Sequence, residues 1–274
     1  MNKIFTALRQ AALASVILAA ATNTVNAQTG RSFGNLSVKR SNGKSVTWFQ
    51  RLELGGGLTF GKGSASSVER YYDPFHPGVV SGTSNTQNFS YRSACAWVNT
   101  YFPMTALSHS SILALSVGLY GNNNSFTLNN FSFNGQSTAS MDIKDGFVGL
   151  PIGVDYIFGG EATNNQADKV SLRAGIGAMP FMSFGSISDD FSKYSRLGVR
   201  PYIKAELGFF AGIEWKIKTQ VIIGSRNLYD VKIGDYDLQD GANYYSNFKM
   251  DLRPSYSVGI AIMPFAAGWD NDNW

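Results

Sequence analysis

The sequence predicts an all-β chain: a transmembrane up-and-down antiparallel β-barrel of eight strands, with ten as the fallback. Three observations carry this. Eight stretches alternate apolar with small or polar residues, the period of two expected of strands whose faces meet unlike surroundings. The gaps between them run long, short, long, short, medium, short, long, and barrels with both termini in the periplasm pair brief turns on that side with long loops outside. The chain also opens on a segment with the form of an export signal. A membrane strand needs only about 9–11 residues with one apolar face, so no long apolar run is required.

Lys3 and Arg9 give a basic start, Ala11 to Ala21 is an apolar run too short to span a bilayer, and Val25-Asn26-Ala27 supplies small residues for cleavage before Gln28. Residues 1–27 are therefore read as a signal peptide, 28–45 as a polar periplasmic lead-in, 46–265 as the barrel and 266–274 as a periplasmic tail. Without Lys3 and Arg9 the 23 basic side chains become 21 against 19 acidic ones, a near balance with no concentrated basic face for nucleic acid. Cys95 is the one cysteine, so no internal disulfide framework is expected.

The first strand, about 47–61, sets Leu52, Leu54, Leu58 and Phe60 against Arg51, Glu53 and Thr59. The second, about 89–102, is ambiguous in facing, since Tyr91, Trp97 and Tyr101 oppose Ala94, Ala96, Val98 and Phe102. After a short turn at 103–110, the third (111–121) alternates Leu113, Leu115, Val117 and Leu119 with Ala114, Ser116, Gly118 and Tyr120. The long gap 122–145 contains Phe126-Thr-Leu128 and Phe131-Ser-Phe133, pieces that extend the hairpin beyond the membrane or, pairing within it, raise the count to ten. The fourth strand, 146–158, alternates Val148, Leu150, Ile152, Val154, Tyr156 and Phe158 with Phe147, Gly149, Pro151, Gly153, Asp155 and Ile157.

A brief polar turn at 159–168 leads to the fifth strand, 169–182, with Val170, Leu172, Ala174, Ile176 and Ala178 opposite Ser171, Arg173, Gly175 and Gly177. The sixth, 199–210, places Ile203, Ala205, Leu207 and Phe209 against Tyr202, Lys204, Glu206 and Gly208. A tight turn at Ala211-Gly212 precedes the seventh, 213–225, and the eighth, 253–265, follows the last long gap. Pro151 lacks a ladder donor, and a bulge at the outer rim is the expected accommodation.

A period of two does not say which face is inside. The charges decide with the export signal: Arg51, Glu53, Asp155, Arg173, Lys204 and Glu206 all sit mid-strand on the less apolar face, forming an expected lumen-facing network. An eight-stranded barrel is just wide enough for side chains to fill it. Near-balanced charges there predict a plugged barrel and not an open channel.

At 146–158 (GFVGLPIGVDYIF) the sequence resembles a recurring strand of Gram-negative outer-membrane β-barrel proteins of the PorT-like, porin-like type, with its Leu-Pro, alternating apolar residues and closing aromatic. Residues 172–180, 208–216 and 224–228 resemble the neighbouring glycine-rich strand, hairpin and strand end, so the resemblance covers about 146–265. It implies an eight-stranded integral outer-membrane protein with no catalytic residues to carry over, in a family whose members include one that assists a protein secretion system. The chain departs from the usual ending: Phe265 closes the last strand, yet Ala266–Trp274 follows.

Candidate chemistry is sparse. Lipid hydrolysis would need a base; His76 lies in the first long loop with Asp73 nearby, and His109 in a turn on the opposite side. An aromatic, proline-rich loop reads as a surface feature, and no enzyme activity is expected. Gly56–Lys62 has phosphate-loop spacing but lacks the following Ser or Thr and the helix. Asp235, Asp237 and Asp240-Gly241 lack the glutamate that closes a calcium loop. No cofactor or metal is expected. The partners expected are outer-membrane lipid and other outer-membrane or secretion-system proteins, met by long loops at about 62–88, 122–145 and 226–252; the alternatives are a narrow porin for small solutes and a lipid-modifying enzyme.

Overall fold

Period-two alternation closes here into a single hydrogen-bonded ring. A computed structural model describes residues 48–72, 80–133, 136–164, 168–187, 191–236 and 243–269. Its strands are β1 (Glu53–Tyr72), β2 (Val80–Ser108), β3 (Ser111–Phe133), β4 (Gln136–Gly149), β5 (Ile152–Gly159), β6 (Val170–Ile187), β7 (Phe191–Ala211), β8 (Ile213–Ile222), β9 (Arg226–Tyr236) and β10 (Asn243–Met263). Neighbouring strands are antiparallel, and β1 pairs with both β2 and β10, which removes the sheet edge. β5 continues β4 between β3 and β6, and β9 continues β8 along β10. The ring therefore has eight staves. The ten-strand fallback falls, because 122–145 lengthens the β3–β4 hairpin and adds no separate membrane hairpin.

Pro151 does not need the bulge expected for it. Register is unbroken across it, with Tyr120↔Gly149 and Val117↔Ile152 on one side and Gly149↔Phe181 and Ile152↔Ala178 on the other. Its carbonyl still accepts from the Gly118 N–H at 3.0 Å, and the Leu150 N–H reaches Pro180 at 2.8 Å. The proline removes one ladder donor and leaves the side-chain alternation intact.

Three expected long loops are largely strand. The first gap holds the outer parts of β1 and β2, the second those of β3 and β4, the third β9 and the start of β10. Serine, threonine and asparagine on outward positions suggested loops, yet above a membrane an outward strand face meets water and is free to be polar. The medium loop at 184–197 is likewise mostly strand. The first strand, conversely, begins only at Glu53, because Trp48–Arg51 is a 3-10 turn.

Beyond the ring the ladder divides. β2 and β3 pair from Ser108↔Ser111 only as far as Ala94↔Asn123, and β7 and β8 from Ala211↔Ile213 to Tyr202↔Ile222. Among the described residues, the extended end is thus two four-stranded leaves, β2-β1-β10-β9 and β3-β4-β6-β7. They face one another across a core of Ala65, Tyr91, Phe126, Leu128, Met141, Ile143, Leu228, Tyr229, Phe248, Met250 and Leu252. Phe89 stacks on Phe126 at 4.7 Å and Tyr194 meets Tyr229 edge-on at 4.6 Å, which stitches both seams with aromatic rings.

The outward face of the ring is apolar on every stave. Ile176 (66 % exposed), Ile260 (60 %), Val170 and Leu172, with Val154, Tyr156, Ile203, Leu207 and Ile217, all face outward. Each such side chain left in water forgoes roughly 1.5–3 kcal/mol of burial, and a continuous belt of them marks a surface built to be covered.

Candidate functional site

The polar face of the same strands converges on one layer inside the ring. Glu53 enters from β1, Asp155 from β5, Arg173 from β6, Lys204 and Glu206 from β7, and Lys216 and Lys218 from β8. Glu161 enters from α1 (Gly160–Thr163), a single helical turn in the β5–β6 connection. All eight are buried.

Arg173 stands at the centre. Its Nε donates to Asp155 Oδ2 at 2.6 Å, and its Nη1 lies 3.2 Å from Glu161, 3.4 Å from Glu53 and 3.5 Å from Glu206. Lys204 approaches Asp155 at 2.9 Å and Glu206 at 3.7 Å. Lys216 donates to Glu161 at 2.6 Å and also faces Glu53 and Glu206, while Lys218 donates to Glu53 at 2.9 Å and sits 3.3 Å from Glu206. Four cations meet four carboxylates. Gly175 makes the room: a Cβ there would collide with Asp155 Oδ1 and come within 2.9 Å of Lys204 Cε. Glu214 lies at the margin and accepts from the Ser171 hydroxyl.

Apolar layers close the network above and below. Toward the turns lie Tyr101, Ile112, Ala114, Ile157, Ala162, Met263, Ala266 and Trp269. Toward the extended end lie Cys95, Trp97, Tyr120, Phe147, Met179, Tyr202, Ile222 and Ala261. Both layers bind it. The Trp97 Nε1–H donates to Glu53 at 2.9 Å, the Tyr101 hydroxyl donates to the Glu161 carbonyl at 2.9 Å, and the Arg173 guanidinium lies 5.0 Å from the Tyr101 ring centroid. A second polar centre crosses between the two leaves, where Asp145 accepts from Arg226, from Tyr194 at 2.6 Å and from Asn124 at 2.7 Å.

Of the six residues expected in the lumen, the structure brings together Glu53, Asp155, Arg173, Lys204 and Glu206. Arg51 lies in the 3-10 turn and not in the strand, its guanidinium 5.5 Å from the centroid of the same Tyr101 ring. Sequence reasoning missed Glu161, Lys216 and Lys218. The two lysines were legible, because Lys216, Lys218 and Gln220 alternate with Trp215, Ile217, Thr219 and Val221. Glu161 carried no such signal, since its turn is an ordinary polar connection until α1 folds it over the ring. The facing of β2 is settled with Tyr91, Cys95, Trp97 and Tyr101 inward. His109 lies in the tight turn between β2 and β3. His76, Asp73, Asp237 and Asp240 lie outside the described residues, and Gly56–Lys62 is strand throughout.

No protein-family model matches the chain, and no curated protein sequence matches it. Solved structures similar to it are outer-membrane proteins. The outer membrane protease OmpT of Escherichia coli matches over 80 % of this chain and 98 % of its own, at 10 % identity and a TM-score of 0.36. Neisserial surface protein A matches over 74 % and 96 %, at 8 % identity and 0.29. Ail, the attachment invasion locus protein of Yersinia pestis, seen with the heparin analogue sucrose octasulfate, matches over 74 % and 99 %, at 11 % identity and 0.26. At such values the activities of these proteins remain their own, and the barrel assignment rests on the closed ladder of this chain. One expectation is corrected: no enzyme activity is expected from a His76 loop that reads as a surface feature, but a protease is among the similar barrels, so that reading does not exclude an enzyme.

Proposed function

We propose that this chain is an integral outer-membrane barrel of the PorT-like kind, closed to solutes, that works as an interaction platform through the two-leaved extension at its extended end. Its export segment, residues 1–27, is removed before Gln28, and the short turns face the periplasm. The observation carrying this reading is the interior network of four cations and four carboxylates, all buried, capped by apolar layers on either side. Open aqueous lumens keep charges solvated, whereas these charges satisfy one another. The extension supports the second half of the reading: four long hairpin arms carry a packed core of their own past the apolar belt, and a barrel needing only to span a bilayer has no use for them.

Single-channel recording in planar bilayers tests the closure. The full mature chain is expected to give no stepwise conductance; large, regular steps would overturn the reading in favour of a porin. Crosslinking in cells followed by identification of captured outer-membrane or secretion-system proteins tests the platform, and lipid analysis after deletion tests for action on lipid. N-terminal sequencing of the mature protein should start at Gln28.

A further inference from the structure

Where the apolar belt of β10-β1-β2 ends, three exposed cations stand together. Phe60 on β1 stacks against Tyr256 on β10 at 5.2 Å, and these two rings form an outward aromatic row. Arg92 on β2 is directly opposite Phe60 in the ladder, its guanidinium 5.8 Å from that ring. One step further out comes Lys62. On β10 the register passes from Gly61↔Ser255 to Gly63↔Leu252, so Arg253 and Pro254 together face Lys62 across a β-bulge. A bulge is where a strand accepts proline and re-aims a side chain, and Arg253 turns outward, its Nη2 donating to Asn88 Oδ1 at 3.3 Å.

Among the described residues, no carboxylate lies within salt-bridge distance of Lys62, Arg92 or Arg253. The nearest outward acid on β10, Asp251, is taken by Lys249 at 3.3 Å. Placing like charges opposite one another on neighbouring strands destabilises a sheet, and Lys62 and Arg253 do so at a bulge. An anion between them would reverse the sign of that contact. The position names the anion: toward the belt lie Leu58, Ala94 and Val258, away from it Ser64, Asn88 and Lys249, so the triad sits at the height of a lipid headgroup.

We infer that Lys62, Arg92 and Arg253 form a binding site for the phosphate groups of anionic lipids in the leaflet on the extended side, holding such lipid against one arc of the barrel. The inference rests on the membrane reading above and deepens it.

The test uses the mature chain in nanodiscs, with lipid retention measured by native mass spectrometry. Probes are phosphatidylglycerol and bisphosphorylated lipid A, with phosphatidylcholine as the uncharged control. The wild type should retain the anionic lipids over phosphatidylcholine, and a K62Q/R92Q/R253Q variant should lose at least about tenfold of that preference. Unchanged preference in the variant overturns the site, as does equal displacement by millimolar inorganic phosphate, which would make it a site for free anions. Lys62→Glu removes the cation pair, so it should weaken lipid retention while leaving the barrel as stable or more so; parallel loss of both overturns the inference. Wild type that never enters the bilayer would remove the membrane reading itself, a result separable from insertion without lipid preference.

Discussion

Among the described residues, Arg173 is the one cation that touches four different carboxylates, from β1, β5, α1 and β7. Removing one partner from a buried ion network leaves uncompensated charge, at a cost of about 3–5 kcal/mol. Arg173→Ala should therefore lower the free energy of unfolding, read from urea titration in detergent or vesicles, by that much; a change below about 1 kcal/mol, the scale of an exposed pair, would mean the interior is hydrated. Gly175 makes a separate prediction. Gly175→Ala pushes a methyl group into Asp155 and against Lys204, and overpacking of this kind typically costs about 1–3 kcal/mol, read in the same unfolding assay. Cys95 is buried beside the aromatic layer, so a maleimide should label it only after unfolding, which makes it a native reporter for both variants.

Among the elements, the turns and the seams set what is rigid. Gly212 joins β7 to β8 with φ 79°, and nothing lies within 4 Å of where its Cβ would be. The cost of Gly212→Ala is then purely backbone, about 1–2 kcal/mol, and Asn, which tolerates this conformation better, should cost less. The seams make a different prediction. Tyr202–Phe209 is paired on both sides, whereas among the described residues Phe191–Val199 pairs with β6 alone. Amide exchange should accordingly be faster at alternate positions of Phe191–Val199, those aimed at the seam, than anywhere in Tyr202–Phe209. Uniform protection along β7 would mean that β9 completes the ring in solution. Arg200 marks the point where the ladder parts, its guanidinium donating to the carbonyls of Ile222, Ile223 and Gly224.

For the whole molecule, the interior is layered: an apolar plug at the turns, a neutral charge layer, an aromatic layer, then the core between the leaves. A barrel packed in this way is expected to stay folded only in detergent or lipid, because its outward belt is left exposed by the described residues. Sedimentation and circular dichroism check this: a folded monomer in plain buffer would put the apolar face inside and reverse every facing assigned here.

The sequence by itself determined the eight staves, the opposed faces of most of them and, with the charges, five of the eight interior charged residues, because a strand writes its two faces into alternate residues and needs no partner to do so. It determined that Asp155, Arg173, Lys204 and Glu206 share one side. The tertiary structure alone decided that Glu161 joins them, that Arg51 belongs to a 3-10 turn and not to the first strand, and that polar stretches such as 80–88 and 226–236 are strands in two leaves and not loops. The physical reason is the same throughout. Which residues meet depends on stagger and closure of the ring, set by pairing between segments far apart in the chain, while an outward strand face above the membrane is as free to be polar as any loop.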